Sequence, residues 1–246
     1  MRRTALTAAL VPCSLVLAAC TANTPAPAVA ASPAAPSNAN LYNDQLVARF
    51  KTAVASATAL HVKGAMIESG AAVTIDLQLN RDGSAQGVLS ENGATVPLIV
   101  TGGVTYIQMT SSNVAMATAG TGAEGKLAAQ LLPGKWISSN TGGNSDLASE
   151  LSGVTFASLT QQLTSGSDEF TYLGTTTLNG QRVAQYNDSP NGGSTQQNQV
   201  MSVPLTGTAL PVEKTDGNGG AATFTWNKPT KISPPPASDI LDLPAS

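Results

Sequence analysis

Few side chains in this 246-residue chain have the type and spacing for chemistry, and they point in different directions. His61 is the single histidine, so any Ser-His-Asp relay would have to run through it. It opens an alternating stretch with Lys63 two residues on, and no Gly-x-Ser-x-Gly elbow is present. It reads as a surface or edge histidine. Gly120-Thr121-Gly122-Ala123-Glu124-Gly125-Lys126 fits both G-x-G-x-x-G and G-x-x-x-x-G-K, patterns that let backbone N–H groups approach phosphates. Leu127 stands where a magnesium-binding Ser or Thr belongs, and no buried parallel strand leads in, so the stretch reads as a loop or cavity lip. Asp168-Glu169 and Asp239/Asp242 lack an aromatic sugar platform and read as solvated or turn charges. Trp136 and Trp226 suit a cavity mouth, a membrane interface, or an ordinary core or rim position. One histidine and two cysteines supply no zinc set. The expectation is no catalytic residue, no metal and no cofactor, hence no enzyme.

The clearest chemistry is at Cys20. Leu17-Ala18-Ala19-Cys20 has the form of a bacterial lipobox, where a small-residue run ends at a cysteine that is lipidated and becomes the first mature residue. Arg2 and Arg3 make a basic start, Thr4 to Val16 an apolar core broken by Pro12, and Ala18 and Ala19 precede the cut. Residues 1–19 are then a signal peptide, too short and interrupted to span a membrane durably. Acyl chains on Cys20 would hold the mature protein at the outer face of the cell membrane. Cys13 leaves with the signal and Cys20 is acylated, so no disulfide is expected and packing and hydrogen bonds must hold the fold.

Cleavage leaves 227 residues with a net charge of −5, against −3 for the whole chain. That length supports one domain with a real core. Charged residues make up 11% of the chain, well below the average of about 25%. No basic stripe exists, which makes nucleic acid a poor partner. Thr, Ser, Asn, Gln and Gly supply the polarity and favour strands and turns.

These residues need elements to position them. Residues 20–40 hold the lipidated cysteine and an Ala/Pro-rich stretch with Pro25, Pro27, Pro33 and Pro36, read as a tether. Asn43 or Asp44 can cap a helix running to about Thr58, with Leu46, Val47, Phe50, Ala53, Val54 and Ala57 on one face. From Leu60 the period becomes two. Leu60–Glu68, Ala72–Asn80, Ser84–Glu91, Ala94–Thr101 and Val104–Met109 read as five strands of a meander joined by tight turns. Ser111 to Ser167 breaks the pattern, with helical candidates at Glu124–Leu132, Asp146–Leu151 and Thr155–Leu163. A second meander follows: Glu169–Leu178, Gln181–Asp188, Gln197–Leu205, a short strand after Leu210, and Ala222–Trp226. A Pro-rich tail closes the chain.

This order, with Leu60-His61-Val62-Lys63-Gly64, Gly103-Val104-Thr105-Tyr106-Ile107, Lys135-Trp136-Ile137, Leu210-Pro211-Val212-Glu213-Lys214 and Thr225-Trp226-Asn227-Lys228-Pro229, resembles the actinobacterial cell-envelope lipoproteins of the LppX/LprG type, whose fold is LolA/LolB-like. The resemblance implies an α+β fold: a strongly curved, mainly antiparallel sheet, a half-barrel, with helices packed on its concave face, in one domain over 41–246. It also implies binding of an acylated lipid or glycolipid, with an envelope transporter or acceptor protein as a further partner. Val73, Ile75, Leu77, Leu79, Leu89, Leu98, Val100 and Tyr106 are the expected lining of such a cavity. From the residues alone the same side chains serve equally as a dry core, because every half-buried sheet has an apolar face. The alternative function is an accessory envelope lipoprotein that binds a protein partner and has no lipid cavity.

Overall fold

Among the described residues eleven strands line up in one sheet, and the order in which they do so explains most of the molecule. The computed structural model describes residues 34–68, 71–91, 93–117, 122–140, 154–164, 168–190 and 199–241. Chain-order elements are α1 (Asn43–Ser56), β1 (Ala59–Glu68), β2 (Ala71–Asn80), β3 (Ala85–Glu91), β4 (Ala94–Thr101), β5 (Val104–Gln108), α2 (Ser111–Ala117), α3 (Gly122–Leu131), β6 (Trp136–Ser138), α4 (Phe156–Thr164), β7 (Asp168–Leu178), β8 (Gln181–Pro190), β9 (Gln199–Pro204), β10 (Glu213–Thr215) and β11 (Ala221–Trp226). The expected meanders are present within a residue or two at most ends. The helix α2 and the strand β6 are additions to the expected elements, and the candidate helix Asp146–Leu151 lies outside the described residues.

The sheet order is β6-β5-β4-β3-β2-β1-β11-β10-β9-β8-β7, with every neighbour antiparallel. The two meanders meet at β1 and β11, so the first and last strands lie side by side at the centre. The fold is α+β, an open half-barrel whose edges are β6 and β7. Both edges are blunted against unwanted pairing. β6 is three residues long, and the tail from 228 to 241 runs to it from β2, with Asn80 Nδ2 donating to the Thr230 carbonyl at 2.7 Å and Leu241 N to the Trp136 carbonyl at 2.8 Å. β7 has a register shift between Tyr172 and Gly174, which leaves Leu173 exposed.

Gly64 on β1 and Gly87 on β3 are needed where neighbouring strands press together on the inward side. A Cβ at Gly64 would sit 2.0 Å from the Ala221 carbonyl oxygen, and one at Gly87 2.0 Å from that of Asp76. Only a residue without a Cβ permits such approach.

The helices α1 and α4 pack on one face. Leu46, Val47 and Phe50 of α1 are buried with Phe170, Ala184, Tyr186, Met201 and Val203 of β7–β9. Phe156 of α4 joins Leu60, Val62, Leu77, Leu79 and Leu98 in a second cluster. Gln45 Oε1 accepts from Tyr42 N at the start of α1, whereas Asn43, one of the two expected caps, uses its Oδ1 to accept from Phe170 N at 2.9 Å and so ties the helix to β7. At the other end Arg81 donates to the carbonyls of Ala55 at 2.8 Å and Ala57 at 2.6 Å, and its guanidinium lies 5.8 Å from the centre of the Phe156 ring. A cation there complements the helix C-terminus.

The body begins earlier than Leu41. Ser37 bridges to Thr206, and buried Asn38 donates to the carbonyls of Pro204 and Gly207 while its Oδ1 accepts from Arg49. Cys20 and most of the expected tether lie outside the described residues.

Candidate functional site: the covered face of the sheet

Strand pairing assigns each side chain to a face, because directly opposed residues point the same way. One row crosses the covered face through the pairs Tyr186–Met201, Met201–Lys214, Lys214–Ala222, Ala222–Gly64, Gly64–Ile75, Ile75–Leu89 and Leu89–Val96. By the same registers Val73, Ile75, Leu77, Leu79, Leu89, Leu98 and Val100 share this face, as their alternation predicts. Tyr106 does not. It pairs with Ile99 and Ser138, and Ile107 takes the inward place opposite Leu98. The Gly102-Gly103 turn sets Thr101 against Val104, and that register turns Tyr106 outward.

Burial divides this face. Over β8 and β9 the inner side chains are sealed: Ala184, Tyr186 and Val203 are all at 0% exposure and Met201 is at 1%. Leu77, Leu79 and Leu98 are buried too. Val73, Ile75, Leu89, Val96 and Val100 are only partly buried, although α4 packs over the same cluster. The interior is therefore closed on one half and incompletely covered on the other.

Among the described residues, one ion pair stands on this apolar face. Lys214 Nζ lies 2.6 Å from Asp188 Oδ2, with the Asp188 side chain at 0% exposure and that of Lys214 at 24%. Asp188 follows Tyr186 by two residues and so shares its face. Among the described residues neither Asp188 oxygen receives an aligned hydrogen bond, so the lysine contact is charge to charge and Oδ1 finds no hydrogen-bond partner. Neither residue stands out in the sequence. A Glu-Lys-Thr triplet reads as surface, and the partner carboxylate is distant along the chain.

The other candidates lie elsewhere. His61 is on the opposite face, its Nε2 2.7 Å from Asp76 Oδ1, with Lys63 Nζ 2.7 Å from Oδ2. His61 and Asp76 border a cleft of about 510 Å³ that also touches Gln78, Gln86, Trp136 and Thr230. The Lys63 contact, and then the His61 contact, hold the Asp76 carboxyl below its ordinary value. Its contribution to stability is full above the unfolded value of 3.8 and is lost as pH falls through the lower folded value. Asp76→Asn should cost under about 1 kcal/mol at pH 7, because the groups are largely solvated. In urea titrations the gap from wild type should narrow as pH falls from 3.8 through the lower folded value, and a gap that does not narrow with falling pH would refute this role. Trp226 is inward, its Nε1 donating to the Pro211 carbonyl at 2.7 Å. Trp136 is outward on β6. Of the Gly120–Lys126 motif, 122–126 lie within α3 and the two preceding residues lie outside the described residues. Lys135 lies 3.8 Å from Asp239, and Asp242 is outside the described residues. Among the described residues no helix is long and apolar enough to cross a membrane, and no group of three or more His, Cys, Asp or Glu is placed to hold a metal.

No family model and no curated protein matches the chain. Solved structures do. The Mycobacterium tuberculosis lipoprotein LppX is 19% identical, with 76% of this chain and 98% of LppX covered and a TM-score of 0.43. LprF from Mycobacterium bovis is 14% identical, with 78% and 96% covered and a TM-score of 0.45. MucB, in complex with MucA, is 15% identical, with 76% of this chain and 54% of MucB covered and a TM-score of 0.29. What this chain is similar to, at these low identities, includes a mycobacterial lipoprotein.

Proposed function

We propose that this protein is an exported lipoprotein, acylated at Cys20, that binds an acylated lipid or glycolipid on the covered face of its sheet and carries or presents it in the cell envelope. Residues 1–19 would be the signal peptide, and the Ala/Pro-rich stretch would let the body stand off the membrane. The ligand would undergo no covalent change.

One observation carries this reading. Ile75, Leu89, Val96 and Val100 point inward yet remain partly exposed, whereas the equivalent side chains over β8 and β9 are sealed. A dry core buries both halves alike. An acyl chain laid along the open half would gain about 0.8 kcal/mol for each CH₂ removed from water, and such a site needs an apolar lining with few polar groups.

The test is the lipid itself. The chain is made from Thr21 without its anchor in a lipid-rich actinobacterial host, extracted with organic solvent and compared by mass spectrometry with a control protein. The expected result is a stoichiometric acylated lipid that is lost in Leu89→Trp and Val100→Trp. Leu77 is a poor place for such a block, since it is already packed. A lipid-free wild-type protein of undiminished stability would sink the proposal. The second reading, docking of a protein partner, draws on Leu127 and Leu131, which lie one turn apart on α3 and are 57% and 62% exposed. Crosslinking at those two positions would capture the partner it requires.

A further inference from the structure

We propose that Lys214, held by Asp188, is the polar anchor of the inner face and receives an uncharged carbonyl acceptor, such as an acyl ester, of the bound molecule. This rests on the lipid-binding reading and names the part of the ligand that the chain recognises.

Position is the first argument. Lys214 is the inward residue of β10. Along its row come Ala222 and Gly64, the smallest side chains available, and then Ile75, Leu89 and Val96, which are partly buried. Three strand spacings of about 4.8 Å separate Lys214 from Ile75. The residues between them are small, and Ala222 is buried at 2% exposure, so a chain that reaches from a polar head at Lys214 to the partly exposed apolar half would lie across this covered stretch.

The second argument is energetic. A buried ion pair is weak evidence for stability, because well-packed apolar residues generally do as well or better. Here the pair is also poorly satisfied, since Asp188 Oδ1 is buried without a hydrogen-bond partner among the described residues. Such a pair in an otherwise apolar face calls for a role other than holding the fold.

The third argument gives the ligand chemistry. Asp188 is sealed, while Lys214 keeps 24% of its side-chain surface. An ammonium carries three donors, and the Asp188 contact, although not an aligned hydrogen bond, occupies one side of it. The carboxylate also cancels the lysine charge, so a phosphate or carboxylate headgroup would meet no net positive site. A neutral carbonyl needs only the remaining donors.

The experiment uses the mature chain with Cys20→Ser, mixed with phosphatidylcholine vesicles that contain either trioleoylglycerol or its triether analogue, trioleyl glyceryl ether. Bound lipid is measured by mass spectrometry after the vesicles are removed. Wild type should take up the ester about tenfold better, the scale of one charge-assisted hydrogen bond. Asp188→Leu with Lys214→Met should retain ether uptake and bring the two lipids within about twofold. If that variant does not fold, Asp188→Asn with Lys214→Met removes both charges at smaller change in shape and should behave the same way. Ester preference surviving in a folded double variant would overturn the assignment. So would a wild type that binds both lipids equally. A wild type that binds neither removes the lipid-binding reading as well, and that result is distinct from the other two.

Discussion

Gly64→Ala should lower stability by about 3 kcal/mol, the upper end of what one added methyl costs in a packed interior. The added Cβ would lie 2.0 Å from the Ala221 carbonyl oxygen and 2.6 Å from the Ala222 Cα. Both are backbone atoms, so no side-chain rotation can relieve the clash. The site matters as much as the distance, since β1 and β11 form, among the described residues, the only strand pair that joins the two meanders. Pushing them apart weakens the whole sheet. Gly83→Ala is the control. That glycine sits in a turn at φ +88° with nothing within 4 Å, so it should lose only about 1 kcal/mol from its backbone conformation. Denaturant melts of the two variants test the idea. Equal losses, or a milder loss at Gly64, would show that β1 and β11 can separate cheaply and would contradict a tightly packed junction.

Phe50→Ala should be costlier still, at about 4 kcal/mol, with a fall in Tm of roughly 10 °C for a domain of this size. Phe50 has 0% exposure and meets the Phe170 ring edge-on, with centroids 5.6 Å apart and planes at 89°. It is the central contact of α1 with β7–β9, flanked by Leu46 and Val47. Its neighbours cannot collapse inward to fill the gap, because Tyr186 is held in place by its hydroxyl. That hydroxyl donates to the Asn38 carbonyl and accepts from Leu41 N at 3.2 Å. Removing the ring should therefore leave a true cavity and loosen α1 over its half of the sheet. Thermal melts and amide exchange across 43–56 read the two effects separately. A loss below about 1.5 kcal/mol would mean that α1 repacks freely, which the geometry does not allow.

Much of this fold is legible in the amino-acid sequence. Alternation in Ala72–Asn80 determines which residues of β2 face inward, because a strand with one apolar face has a single acceptable register. The spacing of Leu46, Val47, Phe50 and Ala53 determines the buried face of α1, and short Gly-containing turns determine the two meanders. The proposed lipidation of Cys20 and the proposed signal segment likewise rest on the sequence, since export and lipidation signals are read along the chain.

Tertiary structure alone decided the rest. Nothing local in β1 or β11 says that they pair across some 160 residues; they do so because each has a free edge and an inward apolar row. Tyr106 faces outward because Val104–Gln108 has apolar or aromatic side chains on both faces, so its period is silent and the turn register chooses. The Asp188–Lys214 pair is invisible in the sequence for the same kind of reason. A lysine in a three-residue strand looks solvated until the sheet order sets it against a carboxylate on the covered face. Local pattern determines which way a strand can face, but only the order of strands determines which side chains then meet.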